Sequence, residues 1–496
     1  MTVIESGKVL WPIVITFLAP LAVLLTGRNQ NLREGVSIIA GTLTAIFVLC
    51  LAPAVLQGII FRYELFHIRP GLTVAFAADG LGFIFAFIAP FLWIFATSYN
   101  IGYMRSLKEH AQTRYYFCFA VAIFGAVGVA LAANVFTLYL FYEIISVFTY
   151  PLVAHHQDEE GFMGAKKYMV YLMGTSKLFL LPAMILTYVL AGTLDFSLGD
   201  IKNGMFSAQV ISDHPNLVRL TYVLFIAGLA KAALMPFHNW LPSAMVAPTP
   251  VSALLHAVAV VKAGVFSVSR IILSGFGTET MTSLGLSLPT AYLAAFTIVA
   301  ASLIALTKDD IKARLAYSTV SQLSYVIIGV ALAAPAAVQG GLLHIGHHAF
   351  SKITLFFGAG AIYVASHLKS IKMMNGLGRR MPWTFGAFGL ASLSMIGMPP
   401  VCGFVSKWYL VNGALDQGQL ILLVALLLST ILNAGYFVPI FYRAFFLAPA
   451  EGVNLEGYRE APLTMVIPLV FTSLVSVTLG LFPQLFHAFI KAFGSF

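Results

Sequence analysis

Long apolar runs separated by short polar connections dominate the chain. The runs cover approximately residues 9–26, 36–61, 80–100, 115–133, 135–154, 167–191 and 219–236. A second series covers 250–275, 288–307, 315–334, 338–366, 384–412, 418–447 and 462–487. A membrane-spanning helix needs about 20 apolar residues, so the pattern predicts an all-α polytopic membrane protein with about 14 transmembrane helices. Two runs look interrupted. The first is LAKAALMPFHNWLPSAMVAPTP at 229–250, the second SMIGMPPVCGFVSKW at 394–408. Each places a Met-Pro step mid-run, at Met235-Pro236 and Met398-Pro399, beside a lysine. Proline removes a backbone donor and breaks the helical ladder. Broken helices at corresponding places in two halves predict inverted repeats. The expected organisation is helices 1–3 over residues 1–114 and a first five-helix inverted repeat (helices 4–8) over 115–275. A second repeat (helices 9–13) covers 288–447, and helix 14 lies within 448–496.

Composition sharpens this reading. The 496 residues are 59% apolar and only 9% charged, against about 25% charged in soluble domains. A water-soluble enzyme and a disordered chain are both excluded, and no segment remains for a sizeable soluble domain. The first run follows Lys8 but lacks a small-residue cleavage pattern, which predicts a retained helix. The net charge of +9 would suggest nucleic acid in a soluble protein; here it is read as topology. With the N-terminus outside, sixteen Lys and Arg fall on inside connections and seven outside: Lys8, Arg62, Arg69, Lys202, Arg219, Arg270 and Lys491. The bias toward basic residues on the cytoplasmic side predicts an inner-membrane protein with both termini periplasmic or extracellular.

Five lysines remain inside the predicted spans, namely Lys177, Lys231, Lys262, Lys352 and Lys407, together with one acidic residue, Glu143. A mid-bilayer charge costs about 2.5–3.5 kcal/mol on insertion scales, so six unpaired ones would cost on the order of 15–20 kcal/mol. They must face the bundle interior, each other or water. Glu143 is read either as a structural carboxyl or as a carboxylate that tunes a lysine's proton affinity. Lys231 lies five residues before Pro236. Lys262 follows His256 by six residues, some 120° apart around a helix of 3.6 residues per turn, so the two can border one cavity without stacking. His344, His348 and Lys352 are spaced i, i+4, i+8 in HIGHHAFSK and share one helical face over about 12 Å. Histidine titrates near neutrality, which suits a proton relay in a wet bundle interior; histidines satisfied by hydroxyls are the bland alternative. The HxxxH spacing finds no third ligand, so no metal is expected. Lys407 follows the Pro399-Pro400 break by two turns. Lys177 fits a functional amine or one reaching for the interface equally well.

Other chemistry is missing from the sequence. No phosphate-cradling loop, no GxSxG elbow and no paired catalytic carboxylates occur. Cys50, Cys118 and Cys402 lie far apart, with no CxxC pair to hold a cluster. No cofactor is expected, and any redox chemistry would belong to partner subunits.

The stretches LFYEIISVFTYPL, LAKAALMPFHNWLPSAMVAPTPVSALLHAVAVVKAGV, KDDIKARLAYSTVSQLSYVIIG, LLHIGHHAFSKITLFFGAG and GMPPVCGFVSKW carry a family resemblance. From about residue 75 onward the chain resembles the antiporter-like membrane subunits shared by respiratory complex I, membrane-bound hydrogenases and Mrp-type cation/proton antiporters, and is most similar to D-type Mrp subunits. The resemblance implies that Glu143 and Lys231 form a coupled pair in a first half-channel. It implies that Lys262 and His256 form a central connection continued by His344 and His348, and that Lys407 ends a second half-channel. Lys177 lies outside the family pattern. One complex I branch has glutamate where Lys407 stands, and the largest relatives carry long C-terminal extensions after the fourteenth helix.

The expectation is therefore a proton-translocating subunit of a multi-subunit membrane complex. Its partners would be other membrane subunits and its cargo protons, with sodium as an open second cargo, and no nucleic acid. The alternatives are ion-coupled uptake of another solute or inorganic carbon, and a non-conducting scaffold for redox subunits of a proton-pumping oxidoreductase.

Overall fold

Each of the fourteen apolar runs is helical over most of its length, but several are built from more than one helix. The computed structural model describes residues 2–449, 455 and 457–494, and leaves the side chains of residues 255 and 256 outside the description. The helices that build the bundle are α1 (Leu10–Leu25), α2 (Gln30–Leu49), α3 (Gly80–Ser106), α4 (Gln112–Ala130), α5 (Val135–Val153) and α6 (Glu159–Ala191). They continue with α7 (Pro215–Gly228), α8 (residues 249–276), α9 (Ser287–Thr307), α10 (Ile311–Ala331) and α11 (Pro335–Ser366). The last five are α12 (Pro382–Ile396), α13 (Cys402–Asp416), α14 (Leu420–Phe446), α15 (Leu463–Leu481) and α16 (Gln484–Phe493). Among the described residues, ten helices are long and apolar enough to cross a membrane. The others are short, broken or, in α10, lined by Ser318, Ser321, Gln322 and Ser324, so length and composition do not by themselves reach fourteen.

The predicted interruptions are present. α7 stops at Gly228, and the chain passes through a 3₁₀ turn, Ala230–Ala232, an irregular stretch, a single helical turn at Trp240–Ser243 and a second 3₁₀ turn, Ala244–Val246, before a longer helix begins at Thr249. α12 stops at Ile396 and α13 starts at Cys402. The Met235-Pro236 and Pro399-Pro400 peptide bonds are cis. The second stop depends on Gly397. Its φ of +94° is open to glycine and strained for other residues, and a Cβ there would lie 2.7 Å from Lys407 Cδ. Three π-helical turns, Ser176–Leu180, Leu254–Val258 and Ile271–Phe276, widen α6 and α8. Such bulges often mark functional positions.

One region departs from the all-helical expectation. The second run is expected to stay helical to residue 61, but after α2 and a short helix, Ala52–Leu56, the chain enters a three-stranded sheet at Ile59. β1 (Thr2–Glu5) pairs in parallel with β2 (Ile59–Arg69), which pairs antiparallel with β3 (Leu72–Ala78). The IIFRYELFHIR stretch is rich in β-branched and aromatic residues, which favour a pleated surface. The turn between β2 and β3 needs Gly71: its φ is +74°, and a Cβ there would lie only 2.2 Å from the Gly192 carbonyl oxygen.

The sheet covers one end of the bundle, and the connections after α1, α3, α5, α9 and α11 open on the other. That second end carries Arg28, Lys108, Lys308 and Lys369 and is called the basic face below.

Beneath the sheet, Asp79 caps α3 by accepting from the Gly82 N–H at 2.8 Å. It also binds Arg270 of α8 through both carboxylate oxygens, one contact at 2.7 Å. Both side chains are 1% exposed. The sequence count assigns Arg270 to an outer connection; instead it turns inward among Phe196, Phe266 and Phe493. Removing one partner of a buried pair leaves an uncompensated charge and costs about 3–5 kcal/mol. Asp79→Asn is therefore expected to lower the melting temperature in detergent sharply while keeping the α3 cap, and unchanged melting would show that the pair contributes little.

Candidate proton axis

Glu143 projects from α5, and its direct cation is Lys177. Glu143 Oε2 lies 2.9 Å from Lys177 Nζ, and Oε1 accepts from Ser176 Oγ at 2.5 Å. Lys177 also donates to the Tyr139 hydroxyl at 2.5 Å. The π turn of α6 presents Ser176 and Lys177 as neighbours toward α5. The lysine that the sequence alone leaves unplaced thus completes the carboxylate's environment. Lys177 is 47% exposed and Glu143 13%, so this ion pair sits on the outer wall of the bundle.

Lys231 faces inward from the 3₁₀ turn at the α7 break and is fully buried. Its Nζ donates to the Tyr142 carbonyl at 2.7 Å and to Ser146 Oγ at 2.6 Å, and lies 3.2 Å from the centroid of the Tyr142 ring. Glu143 and Lys231 therefore communicate through adjacent residues of α5; they share no direct contact. Close approach of α8 to this turn is allowed by Gly264, where a Cβ would lie 2.3 Å from the Lys231 carbonyl carbon.

Lys262 of α8 reaches α11, with Nζ 2.7 Å from His348 Nδ1. The rings of His348 and His344 are 5.9 Å apart. His344 Nδ1 lies 2.9 Å from Ser406 Oγ, and Nε2 lies 3.1 Å from Gln322 Oε1. Both of its nitrogens are occupied by these partners, which argues against the HxxxH metal geometry. His256 lies in the π turn Leu254–Val258; its side chain is outside the described residues.

Lys407 follows Ser406 on α13. Its Nζ donates to the Met395 carbonyl at 2.6 Å and the Ile396 carbonyl at 3.1 Å, the last carbonyls of α12. A helix C-terminus carries partial negative charge and unpaired carbonyls, which suit an ammonium. Gln322 links this group to the histidines, since its Nε2 donates to the Met395 carbonyl at 3.4 Å. Lys352 lies one turn beyond His348 on α11 and donates to Ser318 Oγ at 2.9 Å. The Tyr436 hydroxyl donates to the same oxygen at 3.2 Å, so Lys352 forms a side branch.

The structure thus joins Lys262 to His348, sets the His344 ring 5.9 Å beyond it, and links His344 to Lys407 through Gln322 and the Met395 carbonyl, while Lys231 lies on the turn packed against Gly264 of the Lys262 helix. The neutral partners Tyr142, Ser146, Gln322 and Ser406 escape a reading of the sequence alone. Their signal is present in Ser318, Ser321 and Gln322, polar residues clustered on an otherwise apolar α10. Among the described residues, no carboxylate lies within ion-pair distance of Lys231, Lys262, Lys352 or Lys407.

On the basic face a cavity of about 570 Å³ is lined by Tyr103, Glu109, His156, Glu160, Asp310 and Lys312, among others. Burial pushes the Glu109 carboxyl up, but His155, His156 and His110 outweigh it and hold the group below the usual carboxylate range.

Residues 132–433 match the family described as NADH:quinone oxidoreductase/Mrp antiporter, transmembrane. The chain is 31% identical over 486 residues to NADH-quinone oxidoreductase subunit N of Desulforudis audaxviator, covering 95% of each chain. It is 29% identical over 446 residues to the chloroplastic NAD(P)H-quinone oxidoreductase subunit 5 of Chara vulgaris, covering 85% of this chain and 65% of that protein. Two solved assemblies contain chains of the same fold, each with a TM-score of 0.83. They are the Mrp complex of Dietzia sp., at 20% identity over 97% of this chain and 96% of the other, and an archaeal membrane-bound sulfane sulfur reductase, at 23% over 98% and 96%. These relatives span several subunit types, so the match fixes the family and leaves the D-type likeness an expectation.

The Glu143–Lys177 pair makes a sharp prediction. Glu143→Lys or Lys177→Glu alone places like charges side by side and should lower thermal stability in detergent. The double exchange should recover about 1 kcal/mol, a coupling typical of contacting residues. A double variant no better than either single would show that the two groups do not interact.

Proposed function

The chain belongs to the NADH:quinone oxidoreductase/Mrp antiporter family, and on that premise we propose that it moves protons along the axis Lys231, Lys262, His348, His344 and Lys407. It is a multi-pass, antiporter-like membrane subunit of the Mrp and complex I type. The observation that carries the reading is the contact series itself. Lys262 touches His348, and His344 is joined to Gln322, which shares the Met395 carbonyl with Lys407. Amines, imidazoles and a hydroxyl follow one another along the series, with the His344 and His348 rings 5.9 Å apart and the Met395 carbonyl shared by Gln322 and Lys407 at its end.

In this reading the two broken helices supply the ends of the path. Protons enter beside Lys231, cross at Lys262, His256 and the α11 histidines, and leave beside Lys407, with Lys352 and Lys177 as accessory groups. The segments 115–275 and 288–447 act as inverted repeats around that axis. The Glu143–Lys177 pair on the outer wall faces a neighbouring membrane subunit, because an ammonium 47% exposed on a membrane-facing wall would be costly against lipid. Movement of that neighbour shifts Glu143 and, through Tyr142, the contacts of Lys231. Both termini lie outside, with the basic face toward the cytoplasm. Moving one charge across 100 mV is worth about 2.3 kcal/mol, a load that rearrangement of one or two charge-assisted hydrogen bonds can match.

In the assembled complex reconstituted into vesicles, Lys231→Ala and Glu143→Ala should each reduce proton flux by about 10-fold or more. Near wild-type flux in both, with the complex intact, would remove the mechanism. Solute-dependent proton release would instead favour uptake of another substrate on the same fold.

A further inference from the structure

A cluster of metal-binding side chains stands apart from the axis, at the rim of the basic-face cavity. Glu109 and His110 lie in the connection between α3 and α4, while His155 and His156 follow the end of α5. One ligand atom each from Glu109, His110 and His155 lies within 4.8 Å of the others. His155 Nε2 is 3.6 Å from Glu109 Oε2, and His156 Nδ1 is 3.7 Å from the same oxygen. The rings of His110 and His155 are 4.8 Å apart.

The second observation is His155 itself. It is fully buried, and neither ring nitrogen has a hydrogen-bond partner. Buried polar groups are ordinarily satisfied, so each exception asks for an explanation. Arg114 donates to the His155 backbone carbonyl at 3.1 Å, and the imidazole Nε2 faces the Glu109 carboxylate at 3.6 Å, beyond hydrogen-bond distance. From these observations we propose that Glu109, His110 and His155 bind a zinc-class divalent cation, with His156 as the fourth donor.

The donor chemistry supports this class. Imidazole and carboxylate ligands suit zinc and its first-row neighbours, whereas an all-oxygen set would suit magnesium or calcium. Tetrahedral zinc with bonds of about 2.0–2.1 Å needs its donors about 3.3–3.5 Å apart. Two of the contacts are already close to that spacing, and His110 is exposed and able to swing inward. A bound cation would satisfy His155 and tie the α3–α4 connection to the end of α5 at the cavity rim. Lys312, which lines the same cavity, donates to the Ala247 carbonyl at 2.5 Å. The site requires nothing of the proton axis, and its test does not depend on flux.

The intact complex, stripped with chelator, is titrated with Zn²⁺ against a chromophoric indicator and, separately, with Co²⁺ by visible absorption. Wild type should bind one equivalent more zinc than Glu109→Gln/His110→Asn, or hold that equivalent about 10–100-fold more tightly. Co²⁺ should give the intense bands of four-coordinate geometry. His110→Asn alone alters only an exposed side chain, so it should show the same direction of loss without a change in melting. Identical zinc binding by wild type and His110→Asn, or only weak six-coordinate Co²⁺ bands in wild type, would overturn the proposal.

Discussion

Four lysines buried in a membrane bundle must be satisfied without carboxylates, and the rest of the structure follows from that constraint. Lys231, Lys262, Lys352 and Lys407 are each at most 7% exposed. Their partners are backbone carbonyls, hydroxyls and one imidazole. A carboxylate partner would favour the ammonium form of a lysine; the carboxylate beneath the sheet, Asp79, is instead paired with Arg270. Neutral lone pairs make no such commitment, and they let a proton be held or released as the surroundings change. The same low-dielectric interior makes an amine without any partner expensive, so each lysine has been given at least one acceptor.

Helix breaks supply the acceptors of Lys407 and set the position of Lys231. An intact helix uses its carbonyls internally. Stopping α12 at Ile396 frees two of them for Lys407, and Gly397 permits the stop. The break after α7 places Lys231 on a short turn that points into α5, where Ser146 and the Tyr142 carbonyl receive it. The π turns serve the same purpose more gently: one sets Ser176 and Lys177 against Glu143. Irregular backbone thus occurs where it lines polar interior, in keeping with the rule that unsatisfied backbone groups cannot face lipid.

Much of this is legible along the chain. Hydropathy locates the long helices, because spanning segments must be apolar over their length. The Met-Pro steps locate both breaks, since proline acts locally. The spacing of His344, His348 and Lys352 places them on one face because helical period is fixed. What is not legible depends on tertiary pairing. Lys177 looks anomalous because its carboxylate sits on another helix, α5, and meets it through a π turn. Arg270 reads as a loop cation because it lies close to the end of an apolar run, and its partner Asp79 lies at the start of α3. The start of the β2–β3 hairpin merges into a helical run because the first residues of IIFRYELFHIR are as apolar as their neighbours. Glu109 and His155 come from different connections, so no spacing rule could join them.

The central claim is that protons pass from Lys262 through the α11 histidines. Lys262→Met is close in volume, keeps the helix packed and removes the only titratable atom of that side chain. Electrogenic proton flux should be measured in vesicles containing the assembled complex with this substitution. Flux should fall to the level of empty vesicles while the complex remains intact; flux near wild type would mean that protons do not pass Lys262.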